Sequence, residues 1–220
     1  MKNFLLRLLT GFLLWAVFLF SVFCDRTLYL VFFAFCIAWA AVFEWSFLTR
    51  MWPRWVRYGV GFLYFCAPLL VVEHLYLAYS HDNFLPIIYP VLAATICDSA
   101  AYFVGKFFGN HYAFPKISPK KTYEGLVAAY FSVVLFHFGL SFYLVRAAGY
   151  LQLIVDYPVF TALLVASVAV LGDLSISVLK RRSGIKDSGR LFPGHGGVLD
   201  RAGSLILVLL LVGVLMGVAR

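Results

Sequence analysis

Residues 159–201, VFTALLVASVAVLGDLSISVLKRRSGIKDSGRLFPGHGGVLDR, join an apolar run to a dense polar loop. Within 159–179 the only charged residue is Asp173, and about twenty mostly apolar residues are what an α-helix needs to cross the ~30 Å hydrocarbon core of a bilayer. Residues 172–201 then hold three aspartates (Asp173, Asp187, Asp200), six basic residues (Lys180, Arg181, Arg182, Lys186, Arg190, Arg201) and a Gly-His-Gly-Gly turn. A charged island at the end of a lipid-crossing helix sets the expectation for the whole chain, an all-α, polytopic membrane helix bundle with its chemistry at one membrane face.

Composition agrees with that expectation. The 220 residues are 63% hydrophobic, 19% aromatic and only 13% charged, whereas soluble domains carry about a quarter charged residues. Further apolar runs lie at 8–23, 28–48, 58–79, 84–104, 126–145 and 204–219, so about seven transmembrane helices are expected in a single domain, 1–220. The last run, with sixteen residues, is short for a span. Lys2 and Arg7 before the first run resemble the start of a signal peptide, but Phe23 is too bulky for the cleavage position, so an uncleaved first span is expected.

Lys and Arg alternate between the two sides of these spans, fifteen on the side of the amino terminus and three on the other. Positive residues collect in cytoplasmic loops, which places the amino terminus and the long basic loops in the cytoplasm, of the inner or plasma membrane if the source is bacterial. Because the +8 charge is confined to these short loops, nucleic acid is not the expected partner. Cys24, Cys36, Cys66 and Cys97 form no CxxC pair and lack a companion His, so they indicate neither zinc nor a disulfide framework.

Ionisable residues inside a span are costly and mark function. Asp98 and Asp173 each precede the first lysine of the following loop by about two helical turns, which puts both about 10 Å inside the cytoplasmic end. Two carboxylates at one depth would form a polar pocket opening to the cytoplasm. Glu73 and Glu44 are weaker candidates, Glu44 being placed to reach the interface or the Arg50 cluster. The isolated His81, His111 and His137 fit hydrogen-bonded interfacial residues better than ligands. His195 stands between Gly194, Gly196 and Gly197, where backbone N–H groups can approach a phosphate.

In the basic loop 116–122, KISPKKT, Ser118 followed by Pro119 predicts a helix start, with Lys116, Lys120 and Lys121 near anionic head groups or nucleotide phosphates. It is no Walker loop, since the glycine before the lysine is missing. Carboxylates together with lysines suit a divalent metal and a polyphosphate. With no Ser-His-Asp or Cys-His arrangement, direct transfer to a phosphomonoester is the expected chemistry, its second pKa of ~6 making its oxygen an adequate nucleophile near neutral pH.

Two blocks carry a family resemblance. Ser177-x-x-Lys180-Arg181, Lys186-Asp187-Ser188-Gly189 and Leu191-x-Pro193-x-His195-Gly196-Gly197-x-x-Asp200-Arg201 form the first. Asp98-Ser99-Ala100-Ala101-Tyr102, Gly105-Lys106, Gly109 and Ser118 to Gly125 form the second. Together they resemble the signature of the phosphatidate cytidylyltransferases, also called CDP-diacylglycerol synthases. The resemblance implies a membrane enzyme that transfers CMP from CTP to phosphatidic acid or a related lipid phosphate, with Mg²⁺ and a monovalent cation such as K⁺, among membrane lipids, and it admits a homodimer. It implies Asp98, Asp173, Asp187 and Asp200 as metal residues, and Lys186, Asp187, Asp200 and Arg201 as catalytic ones. Lys121, Ser118, Lys180, Arg181, His195, Gly196 and Gly197 are implied as substrate-binding residues. Polyprenol kinases resemble the same superfamily, so a CTP-dependent lipid kinase, a transferase with another acceptor or a catalytically degenerate homologue are the alternatives. The chain departs from the pattern twice: many members continue Asp-Arg-x-Asp-Ser where this chain has Gly203 before Ser204, and Ile176 stands where members commonly have Glu.

Overall fold

The computed structural model describes residues 9, 11–20, 26–79, 85–144, 156–189, 191–192 and 196–218. Seven helices are found among them: α1 (Gly11–Phe20), α2 (Arg26–Trp39), α3 (Arg54–Tyr79), α4 (Leu85–Phe108), α5 (Tyr123–Leu144), α6 (Pro158–Arg182) and α7 (Leu199–Val218). A π-helical segment, Ala40–Trp45, and a short turn, Ser46–Leu48, prolong α2. Five stretches, Val31–Leu48, Arg54–Leu75, Ile88–Phe108, Tyr123–Phe142 and Pro158–Arg182, are long and apolar enough to cross a membrane. Large apolar side chains such as Phe62, Phe103, Phe131 and Phe160 are exposed on these helices, as lipid contact requires. The chain is an integral membrane protein.

The helix that holds the apolar run 204–219 begins earlier than hydropathy places it, and it is not among those five stretches. α7 starts at Leu199 and has 20 residues, a length of about 30 Å at the usual rise. Asp200 in its first turn is compatible with helix because an acidic group there faces the positive end of the helix dipole.

The basic loop also differs from its expected form. Ser118–Thr122 is a strand, β2, paired antiparallel with β1 (Tyr112–Phe114), so Ser118 does not cap a helix and Pro119 does not open one. Helix α5 begins after Thr122, whose Oγ1 accepts the Gly125 N–H at 3.2 Å and satisfies one of the unpaired donors of the first turn. Between the pairs Tyr112–Thr122 and Phe114–Ser118 the register shifts, because β2 carries more residues there than β1. Pro119, which cannot donate to a ladder, falls in this bulge. The hairpin is tied to α5 by Glu124, whose Oε1 lies 2.6 Å from His111 Nδ1.

Two compact units share the chain, one of Met1–Ile87 with Val178–Ala202, the other of Ile88–Ser177 with Gly203–Arg220. In the first, buried Trp45 stacks on Tyr64 at 5.2 Å and donates its indole N–H to Arg57 O at 3.0 Å. In the second, Tyr89 and His137 are fully buried. Tyr89 Oη lies 2.9 Å from His137 Nε2, and His137 Nδ1 lies 2.8 Å from Val133 O. A carbonyl can only accept, so Nδ1 carries the proton and the phenol donates to Nε2. His137 is thus hydrogen-bonded as expected, but within the helix core and not at the interface. Such bonds between membrane helices contribute about 0.6–2 kcal/mol.

Candidate functional site

In the second unit the two intramembrane aspartates acquire different partners. Asp98, on α4, accepts the Ser204 hydroxyl of α7 at 2.6 Å. Asp173, on α6, pairs with Lys121 Nζ at 2.7 Å. The bulge in β2 explains how a lysine from the hairpin reaches α6: Lys120 is exposed while Lys121 turns inward and Thr122 is buried. Asp98, Lys121 and Asp173 are all within electrostatic range of the Cys97 sulfur, so a lysine shares the neighbourhood of the two aspartates.

Glycines permit this approach. A Cβ on Gly125 would lie 2.6 Å from Ala101 O, so α4 and α5 meet backbone to backbone. A Cβ on Gly172 would strike Gly203 O and come within 2.9 Å of Ser204 Cα, so α6 and α7 meet in the same way and Ser204 is carried to Asp98. Both departures from the family pattern sit at that crossing. Ile176 is buried at 1% exposure, and its Cγ1 would be 3.0 Å from a Cβ on Gly203. Apolar packing occupies the place of the two acidic side chains.

In the first unit the described residues between 183 and 200 are held by backbone turns and by hydrogen bonds to Leu48, Glu44 and Asp200. Helix α6 ends with Gly184 at φ 71°, where Ile185 N–H donates to Lys180 O and Gly184 N–H to Arg181 O, the paired bonds of a Schellman stop. Ser183 Oγ then donates to Leu48 O at 2.6 Å, and Arg50 donates to Ser183 O at 3.1 Å. Farther on, Phe192 and Gly196 exchange backbone hydrogen bonds of 2.9 and 3.1 Å. Gly196 has φ 90°, and a Cβ there would lie 2.5 Å from Asp200 Oδ2.

Asp200 has three partners. Its Oδ1 pairs with Lys180 Nζ at 2.5 Å, and its Oδ2 accepts the N–H groups of Ser188 (2.8 Å) and Gly197 (2.9 Å). Of the glycine-turn N–H groups, that of Gly197 serves Asp200 and that of Gly196 serves Phe192 O. His195 lies outside the described residues. Lys186 and Asp187 are exposed, as are Arg181 and Arg201, while Ser118 is half-buried.

Sequence reasoning assigned Glu44 to the interface or the Arg50 cluster, and the structure corrects this. Glu44 is buried at 1% exposure. Its Oε1 accepts Val198 N–H at 2.7 Å, and its Oε2 accepts Ser188 Oγ at 2.7 Å and Leu199 N–H at 2.8 Å. Unpaired N–H groups at the start of a helix are a stronger attraction for a buried carboxylate than a solvated arginine. The visible signal was an acidic residue inside a span; its partners, 144 to 155 residues away, left no local trace.

Among the described residues no three His, Cys, Asp or Glu side chains converge as a ready-made metal group. Mg²⁺ keeps water and is commonly held by one or two carboxylates together with substrate phosphates, which is the hard-oxygen set that Asp98, Asp173 and the Ser204 hydroxyl supply.

The sequence profile of the cytidylyltransferase family matches residues 51–219. The chain belongs to the cytidylyltransferase family. Among cytidylyltransferase relatives, the phosphatidate cytidylyltransferase of Haemophilus influenzae is 40% identical over 143 residues, covering 62% of this chain and 46% of that protein. That of Staphylococcus haemolyticus is 33% identical over 158 residues, covering 72% and 55%, and that of Staphylococcus aureus is 33% identical over 164 residues, covering 72% and 55%. The chain spans about half the length of the curated relatives it matches. Apart from Glu44, both carboxylate clusters fall within the matched segment.

Proposed function

We propose that the chain transfers CMP from CTP to phosphatidic acid at the cytoplasmic face of the membrane. An oxygen of the lipid phosphomonoester attacks the α-phosphorus of CTP. The P–O bond to the β-phosphate breaks, pyrophosphate leaves, and CDP-diacylglycerol remains in the bilayer. The observation that carries this reading is the family match across residues 51–219, with relatives named phosphatidate cytidylyltransferase, on a chain whose ion-paired Lys121 and Asp173 share with Asp98 the neighbourhood of Cys97.

In this reading Lys121 and Lys186 receive phosphate charge, and Lys180 keeps Asp200 in place. Lys186 and Asp187 are exposed, and in this reading they meet substrate. Asp98 and Asp173 would hold Mg²⁺, which would supply positive charge to offset that of the polyphosphate; Asp187 is by itself a further candidate carboxylate for metal. K⁺ as an activator, His195 and Arg181 as phosphate contacts, Arg201 in the reaction and a homodimeric assembly belong to the same proposal.

Purified protein in mixed micelles with phosphatidic acid, CTP and Mg²⁺ is expected to release pyrophosphate in step with liponucleotide. Release of CDP with a newly phosphorylated lipid would replace this reading by a lipid kinase. Folded protein giving neither product across Mg²⁺ and K⁺ titrations would favour a degenerate homologue, in which the Ile176–Gly203 packing has displaced function.

A further inference from the structure

Glu44 stands outside the segment that the family profile matches, yet it organises the loop on which the reactive pair is carried. It lies in the π-helical segment Ala40–Trp45, a distortion that often accompanies functional positions. We propose that Glu44 is a positioning residue for cytidylyl transfer, an internal anion that fixes the loop carrying Lys186 and Asp187; the role rests on the function proposed above.

Three observations carry this inference. First, Glu44 takes the anion seat of α7: its carboxylate accepts the N–H groups of Val198 and Leu199, the donors that a phosphate would otherwise meet at a helix start. Substrate phosphate is thereby left to the cationic side chains. Second, Ser188 is clamped between two carboxylates. Its hydroxyl donates to Glu44 Oε2 at 2.7 Å, while its N–H donates to Asp200 Oδ2 at 2.8 Å. The peptide that links Asp187 to Ser188 is therefore fixed at a buried residue, while Asp187 itself is exposed. Third, the carboxylate fills the space of two absent side chains. A Cβ on Gly189 would lie 2.8 Å from Glu44 Oε1, and one on Gly197 would lie 2.6 Å from Glu44 Cδ. The glycines at 189 and 197 are the shape complement of Glu44.

A carboxamide cannot do the same work. Glutamine at 44 offers one oxygen acceptor, and whichever way its amide turns, its NH₂ group opposes a donor among Ser188, Val198 and Leu199. Serine 188 separates the two functions of Glu44. Ser188→Ala removes the link to the Asp187 peptide and leaves both N–H bonds at the start of α7.

The test uses the full chain in lipid nanodiscs, with hydrogen exchange of the 185–199 region and steady-state kinetics on the same preparations. In Glu44→Gln, amide exchange at Ser188, Val198 and Leu199 is expected to accelerate at least tenfold, with α5 unchanged. In Ser188→Ala, kcat is expected to fall about tenfold or more with KM for CTP within about threefold, while Val198 and Leu199 stay protected. Unchanged exchange in Glu44→Gln would overturn the anchoring. Loosened exchange with unaltered kcat in both variants would overturn the positioning role. If Glu44→Gln does not fold, Ser188→Ala still decides, because wild-type kcat in that variant contradicts the proposal. Wild-type protein that makes no liponucleotide overturns the functional reading and the positioning role with it, and the exchange data then decide the anchor alone.

Discussion

Removing Asp200 from beneath Lys180 gives an asymmetry that its geometry sets. The two side chains are 8% and 15% exposed, and Asp200 also accepts the N–H groups of Ser188 and Gly197. Asp200→Ala leaves an ammonium group and two backbone donors without their partner, and breaking a buried pair from one side costs about 3–5 kcal/mol. Lys180→Met leaves a carboxylate that still accepts two charge-assisted bonds, so its cost is expected at about 1–3 kcal/mol. At the scaling of a chain this size, the first loss lowers the melting temperature by roughly 6–20 °C and the second by several degrees less. The double variant Lys180→Met/Asp200→Ala is expected to be more stable than Asp200→Ala alone, since the stranded ammonium is gone. Thermal unfolding in mild detergent, followed by tryptophan fluorescence, measures all three. Greater damage from Lys180→Met than from Asp200→Ala, or no recovery in the double variant, would refute this account of the pair.

Asp187→Asn is expected to reduce cytidylyl transfer at least a hundredfold with an unchanged melting temperature, because the side chain is exposed; a fall in stability that tracks the loss would show a structural role instead. Thr122→Ala removes the cap of α5 and is expected to cost about 1 kcal/mol, read as a small shift in melting temperature. Gly203→Asp is expected to lower the yield of monodisperse protein, since its Cβ meets Ile176 Cγ1 at 3.0 Å and Gly172 O at 3.2 Å, and overpacking costs about 1–3 kcal/mol before the buried charge is counted. Ile176→Ala in the same chain is expected to recover much of that yield, as judged by size-exclusion chromatography.

Hydropathy made the spans legible because a lipid-crossing helix must be apolar along about twenty consecutive residues. It failed at the start of α7, where Asp200 and Arg201 break the apolar run although the helix already begins at Leu199. The 116–122 segment misled for a different reason. Ser118-Pro119 has the local chemistry of a helix start, but pairing with Tyr112–Phe114 decides the backbone, and strand pairing depends on neighbours as much as on the segment itself. The family resemblance implied Asp98, Asp173, Asp187 and Asp200 as metal residues and Lys180 as a substrate contact. It could not tell that Lys180 neutralises Asp200 while Lys121 serves Asp173, because an ion pair between distant residues is settled by packing. Glu44 was least legible of all: its donors come from the other end of the chain, and only the burial of its carboxylate identifies what it does.

The most direct test of cytidylyl transfer follows the phosphorus atoms of CTP. Two parallel reactions with phosphatidic acid and Mg²⁺ would use CTP labelled at the α-phosphorus in one and at the γ-phosphorus in the other. The account expects α-label in the lipid extract and γ-label in pyrophosphate, and both signals should be lost in Asp187→Asn. Gamma-label in the lipid with α-label in CDP would contradict it.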